Sequence, residues 1–205
     1  ARTVAIPDLI KLVAELLPSS SGNTKGKSIW PGEEQVQDYL EKTPVILDAL
    51  ERRLFKTRHR TLDDKHAINL PDTGNVPDAS RRSARAFSST PVTQLALSQM
   101  LDALRVYWCN NNQYRPYASA GGMYPIQTYL LAYQVEGLEK GTYLYDPHSH
   151  KLLPRGNTPL PQIENLSAGN KEWIGDAHFV LAFALNLPDI VPLYEGSSLP
   201  FGLIE

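Results

Sequence analysis

The sequence predicts an α+β domain, on three observations. Apolar residues recur at helical spacing through the first half, apolar runs of strand length fill the second half, and no repeat period is visible. The chain has 205 residues, 42% hydrophobic and 20% charged, which suits one folded core and excludes bulk disorder. Twenty Lys and Arg against 22 Asp and Glu give a net charge of −2, so no global attraction to nucleic acid or anionic lipid is expected. A single cysteine, Cys109, excludes an intrachain disulfide framework and a Cys-rich zinc site. No apolar run approaches the ~18 residues of a membrane span, and the first residues lack the charged, apolar, small order of a signal peptide. The default expectation is a soluble cytoplasmic protein.

The elements follow in order. Leu9, Leu12, Val13, Leu16 and Leu17 form one apolar stripe, so Ile6 to Leu17 is expected to be helical, with Pro18 as its stop. Ser19 to Ser28 has a Ser/Gly/Lys composition that buries nothing and reads as a linker. A boundary near residue 29 divides an N-terminal helix and tether, 1–28, from the main domain, 29–205. Glu33 to Phe55 carries a second helical pattern, from Val36 to Leu54, in which Pro44 separates two pieces. The basic run from Arg52 to Arg60 reads as a solvated helix end, with cations near the C-terminal dipole; Asp63 and Asp64 argue against a nucleic-acid stripe. Residues 61–80, with Pro71, Gly74 and Pro77, form an irregular connector.

Leu97, Leu101, Leu104 and Trp108 share one face of a helix predicted over Val92 to Trp108, with Cys109 as a small buried hydrophobe at its end. Asn110 to Arg115 reads as a polar loop. Thr128 to Val135 and Ala177 to Leu185 are expected to be strands buried on both faces. Between them Thr142 to Tyr145 and His150 to Leu153 flank Asp-Pro-His-Ser, a turn by composition, and predict a β-hairpin whose tyrosines pack inward.

Two segments carry chemistry. Ser80-Arg81-Arg82-Ser83-Ala84-Arg85-Ala86-Phe87 puts three guanidiniums and two hydroxyls before an apolar anchor, a donor set suited to a phosphate ester. Ala118-Ser119-Ala120-Gly121-Gly122-Met123-Tyr124-Pro125 precedes a predicted strand, and its small residues let backbone amides approach a flat or anionic ligand. The loop lacks the Lys-Ser/Thr ending of a Walker A motif and does not open a helix as a dinucleotide fingerprint does. Each segment alone is equally a basic surface run or a turn feeding a strand. Their order is what counts: Arg-x-Ser-x-Arg-x-Phe, an apolar helix, Ser-Ala-Gly-Gly-x-Tyr-Pro, a strand, then Gly137-Leu138 and Gly141-Thr142-Tyr143-Leu144-Tyr145.

In that order the chain, from about residue 48 onward, resembles the nitroreductase-like flavoproteins, in particular the SagB-type azoline dehydrogenases and the oxidase domains of nonribosomal peptide synthetases. The resemblance implies a sandwich with a central antiparallel sheet flanked by helices, dimerised so that each flavin site lies between subunits. It implies FMN as cofactor, its phosphate and ribityl chain held by Arg81, Arg82, Ser83 and Arg85. Ser119, Ala120, Gly121 and Gly122 would lie beside the isoalloxazine, usually that of the partner subunit, with Ala118 where many members carry proline. The family stretch that often reads Lys-Tyr-Gly has its counterpart in Leu193, Tyr194 and Glu195, so a catalytic role passes to Tyr194 alone, with Glu195 as a rival base. The family continues beyond the equivalent of Glu205 with a long core helix and further strands. A domain truncated at the C-terminus is therefore expected, its open sheet edge covered by something else.

The function implied is FMN-dependent oxidation of a thiazoline or oxazoline, tethered to a carrier protein of a synthetase assembly line, to the aromatic heterocycle. The homodimer and a pseudo-dimer within a longer chain both stay open. A stand-alone NAD(P)H-dependent nitroreductase is the rival enzyme, separated by bleaching of its flavin with NADPH. A non-catalytic interaction domain that keeps the fold is the rival of another class, separated by failure to take up FMN. No metal is expected: His148 and His150 lack a third ligand, and Ser197-Ser198 lacks a nucleophile-elbow frame. Trp30 and Trp173 carry no reading beyond burial.

Overall fold

A computed structural model describes residues 33–46, 48, 51–52, 65–73, 83–109, 112–156, 159–166 and 171–205. The predicted N-terminal helix, the linker, the boundary near residue 29, Trp30, most of the basic run, and Arg81 and Arg82 lie outside the described residues.

The elements are α1 (Glu33–Lys42), β1 (Ile68–Asn69), α2 (Gln94–Leu101), β2 (Tyr107–Cys109), β3 (Asn112–Tyr114), β4 (Ile126–Ala132), β5 (Gly141–Asp146), β6 (Lys151–Pro154), α3 (Lys171–Ile174), β7 (Phe179–Leu185), α4 (Val191–Tyr194) and α5 (Ser198–Ile204). Five strands form one sheet in the order β1-β6-β5-β4-β7, every neighbouring pair antiparallel. The α+β class with a central antiparallel sheet is what the sequence predicts.

β4 lies at the middle of the packing. Leu130 pairs with Tyr143 on one side and Leu181 on the other, and is completely buried. Its apolar run leaves no polar face, as expected of a strand covered on both sides. The predicted end at Val135 is three residues too long. Tyr133 and Gln134 turn away to donate their amides to the His178 carbonyl, and Val135 bridges Val92 instead. β7 departs from expectation too: among the described residues it pairs with β4 alone, and Phe183 is 59% exposed.

The hairpin β5–β6 forms where Asp-Pro-His-Ser predicts its turn. Asp146 Oδ1 accepts the His148 amide, and Oδ2 accepts the Ser149 hydroxyl. Tyr143 and Tyr145 are buried, as their alternation with the turn implies. His150 is the last turn residue, at φ +54, rather than the first of β6. Its imidazole is buried, with Nε2 2.7 Å from Ser98 Oγ and Nδ1 2.7 Å from the Tyr145 hydroxyl. His148 is exposed, so the two histidines point to different surroundings.

Thr93 caps α2, its hydroxyl accepting the Ala96 amide at 3.1 Å. Leu97 and Leu101 are fully buried from this helix into the core of Leu130, Tyr143, Tyr145 and Leu152. The helix stops far short of Trp108. After a 3-10 turn over Asp102–Leu104 the chain becomes extended at Arg105, and the Val106 amide bonds the Pro147 carbonyl at 2.9 Å. Val106, Tyr107 and Trp108 favour strand as much as helix, and this tertiary bond decides for the strand. The expected polar loop then supplies β3, Tyr107 stacks on Tyr114 at 5.5 Å, and Trp108 is 66% exposed. Cys109 consequently lies exposed on β2 rather than buried at a helix end.

α1 ends before Pro44, as that proline predicts. It packs Leu40 against Ile190 and Val191 in a second, smaller core, which also takes in Leu185, Tyr194 and Phe201.

Candidate functional site

The glycine loop is a strained turn held from several directions. Gly121 and Gly122 have φ of +60° and +69°, which glycine adopts without penalty. Tyr124 at φ +48° has no such freedom, so its surroundings must hold it there. Ser119 Oγ accepts the Tyr124 amide at 2.9 Å. The Arg115 guanidinium lies 4.2 Å from the centre of the Tyr124 ring, and Tyr117 meets that ring edge-on at 5.4 Å. Arg115 also donates to the Tyr117 hydroxyl at 2.8 Å. Both glycines are exposed, and a Cβ added at Gly122 would meet nothing within 4 Å. The turn thus presents bare backbone to open space, which suits a flat ligand lying against it.

Tyr194 ends α4 and is half-buried, its ring edge-on to Phe201 with centroids 5.0 Å apart. Glu195 follows at φ +45° and is exposed. Phe201 belongs to α5, and one helical turn later Glu205 accepts the Ser119 hydroxyl hydrogen at Oε2, 2.5 Å away. α5 therefore touches Tyr194 with one residue and the glycine loop with another, about 6 Å further along its axis. The contact with β7 is close as well: a Cβ on Gly202 would come within 2.6 Å of Leu185 Cδ1. The Asn186 amide, just past β7, bonds the Pro125 carbonyl just before β4. Ser119, Ala120, Gly121, Gly122 and Tyr194 are in this way gathered at one end of the sheet.

Ser83 and Arg85 are elsewhere. They lie on a wholly exposed segment without regular structure that bends at Ser89 and Thr90. Phe87, the expected core anchor, is instead 40% exposed and lies 5.9 Å from the Trp173 ring, which is half-buried. Phe87, Ser88 and Ser89 border an open cleft of about 660 Å³ together with Gln134 and His178, at the far end of β4. Arg85, two residues before Phe87, lies at most about 7 Å from it. Seven residues of β4 separate that end from the glycine loop, about 20 Å. Among the described residues, Ser83 and Arg85 therefore lie toward the opposite end of β4 from the glycine loop.

Reasoning from sequence passed over Arg115, Tyr117, Tyr124 and Glu205. The first two stand on either side of the predicted loop boundary. Tyr124 falls inside the Ser-Ala-Gly-Gly-x-Tyr-Pro motif, which by itself assigns it no role. Glu205 had no local signal at all.

The donor chemistry of both ends fits a flavin mononucleotide. An exposed guanidinium and hydroxyl suit its phosphate, and the open Gly121–Gly122 backbone suits its ring. Among the described residues no three His, Cys, Asp or Glu side chains converge as a metal site would require. No helix among them is long and apolar enough to cross a membrane.

Comparison with known proteins bears on the fold and the family. Residues 79–195, more than half of the chain, match the model of the nitroreductase family, a span that includes every predicted site residue. A Methanocaldococcus jannaschii protein assigned to the nitroreductases, MJ1384, is 29% identical over 138 residues, 65% of this chain and 69% of its own length. The microcin B17-processing protein McbC of Escherichia coli is 36% identical over 76 residues, which are 35% of this chain and 28% of McbC. Two solved structures share the fold. The E. coli microcin synthetase McbBCD complex with truncated pro-MccB17 bound gives a TM-score of 0.53 at 20% identity, over 82% of this chain and 67% of that one. A nitroreductase-type protein of Ralstonia eutropha gives 0.52 at 21%, over 79% and 72%. Fold, motif order and family match converge: the chain belongs to the nitroreductase family, a family of oxidoreductases.

Proposed function

We propose that this chain carries out the FMN-dependent oxidation of a thiazoline or oxazoline to the thiazole or oxazole, the heterocycle being part of a peptide tethered to a carrier protein of a synthetase. The observation that carries the reading is the joining of the glycine loop and Tyr194 by α5 at one end of the sheet. A flat ligand lying on Gly121 and Gly122 would there have a phenol within reach. The likeness to a microcin B17-processing protein supports a peptide substrate over a free quinone or nitroaromatic.

FMN, when bound, would supply the hydride acceptor for this two-electron step, with O₂ as the final oxidant. The chain supplies the rest. Arg85 and Ser83, with Arg81 and Arg82 beside them in sequence, would bind the phosphate by charge-assisted hydrogen bonds. Ser119, Ala120, Gly121 and Gly122 would orient the ring system. Tyr194 Oη would take the proton lost from the heterocycle, with exposed Glu195 as the rival base. The separation of the arginine segment from the loop by about 20 Å supports completion of each site by a second copy or a second like domain. Carrier protein and neighbouring synthetase domains are the partners this reading requires, in a cytoplasmic setting.

The test is to reconstitute the purified chain with FMN and add a carrier-tethered thiazoline without oxygen. The expected result is bleaching of the visible flavin absorption and loss of two hydrogens from the peptide by mass. Bleaching by NADPH with an unchanged thiazoline would overturn this in favour of a nitroreductase. Failure to take up FMN would leave a non-catalytic domain.

A further inference from the structure

The Ser119 hydroxyl is already engaged on both sides. Its oxygen accepts the amide of strained Tyr124, and its hydrogen goes to Glu205 Oε2. The second Glu205 oxygen is buried and takes no hydrogen bond from a described residue. The chain Glu205–Ser119–Tyr124 therefore runs from α5 into the left-handed turn that exposes Gly121 and Gly122. Glu205 lies beyond the stretch matched by the family model, 86 residues from its partner. No other described side chain ties α5 to this loop by a hydrogen bond.

We propose that Glu205 is a positioning residue: through Ser119 it holds the Ser119–Tyr124 turn in the shape that receives the flavin ring. The inference rests on the flavin assignment above and adds the group that sets the loop. An ionised carboxylate makes the stronger bond, because a charged acceptor roughly doubles the strength of a hydroxyl hydrogen bond. The groups facing Glu205 are Ser119, the Arg115 cation and, more remotely, the Tyr117 phenol. Burial raises the Glu205 carboxyl above the ordinary carboxylate range, against the smaller opposing pull of the Ser119 bond and Arg115. A neutral carboxyl can still accept the Ser119 hydroxyl at Oε2. The Ser119 bond then persists without its charge, and the loop loosens as pH falls through this raised pKa.

Two measurements on the full chain test this, one of them independent of flavin. In protein without FMN, Tyr124 amide exchange should quicken about tenfold or more in Glu205→Ala, the factor one charge-assisted hydrogen bond is worth. It should quicken by a smaller factor in Glu205→Gln, whose neutral amide oxygen still accepts from Ser119 but without the charge. With FMN, the dissociation constant should rise by about the same factor in Glu205→Ala. Wild type should weaken toward acid pH more steeply than Glu205→Gln, which keeps the acceptor and lacks the titration. Unchanged Tyr124 exchange in Glu205→Ala overturns the proposal, as does an identical pH profile in Glu205→Gln. If wild type takes up no FMN, the flavin assignment fails, and the exchange measurement alone decides whether Glu205 sets the loop.

Discussion

The two ends of β4 present opposite solutions to holding a ligand. At its start, Ser119 and Tyr194 are each fixed by a partner from the C-terminal helix region, Tyr124 is held by Ser119 within the loop, and the strained turn is set before any ligand arrives. At its far end Ser83 and Arg85 stand on an exposed segment without regular structure, where Phe87 lies against the Trp173 ring. The difference teaches where preorganisation is worth its cost. A flat ring system is recognised by shape and needs a turn that is already formed. A phosphate is recognised by charge, and flexible guanidiniums can close on it after it binds.

The largest effect should come from the strand the two ends share. Leu130→Ala removes a fully buried side chain between Tyr143 and Leu181, and should cost about 2–5 kcal/mol of stability. Chemical unfolding would read this directly, and both ends should lose ligand binding together. If one end kept its function, the two would be independent units rather than ends of one sheet.

Arg85→Ala sharpens the comparison. An exposed side chain should change stability by less than about 0.5 kcal/mol. The same change should weaken FMN binding about 10- to 100-fold, because a charge-assisted phosphate contact is lost. Thermal unfolding and FMN titration on one sample separate the two. Equal FMN affinity would remove Arg85 from the phosphate site and leave the exposed segment without a role.

The smallest effect concerns pH, and it isolates stability from binding. Burial holds the His150 imidazole below its ordinary pKa of 6.5, with Arg105 acting in the same direction and Asp102 opposing both. The folded protein therefore keeps His150 neutral, while the unfolded chain takes up a proton as pH falls below about 6.5. Above that pH the contribution is fully present, and it is lost as pH falls from 6.5 toward the lower folded value. The slope is at most about 1.4 kcal/mol per pH unit. The melting temperature of wild type should fall with acidification more steeply than that of His150→Gln. No difference in slope would mean that His150 titrates alike in the folded and unfolded chain, the pull of Asp102 at 3.6 Å cancelling the effect of burial.

Much of the fold was legible because its signals are local. The α2 face of Leu97 and Leu101, the tyrosines of β5, and the Asp146 turn each follow from spacing within ten residues. The apolar runs located β4 and β7 but overran their ends, since hydrophobicity does not register where a partner carbonyl such as that of His178 draws the chain aside. The helix predicted to Trp108 failed for the same reason. Nothing near Arg105 announces the Pro147 carbonyl that captures Val106. Of the site, the motif residues were recognisable as a series, and their order in the chain carried the family.

What the sequence determined by itself was composition, element type and the order of two ligand-binding segments, because periodicity and backbone freedom are properties of short stretches. The tertiary structure decided which of them meet. It set Ser83 and Arg85 about a strand's length, 20 Å, from the glycine loop, joined that loop to Tyr194 through α5, and brought Glu205 to Ser119 across 86 residues of chain. Such contacts follow from how a sheet and helices pack as whole bodies, and no window of sequence contains both partners.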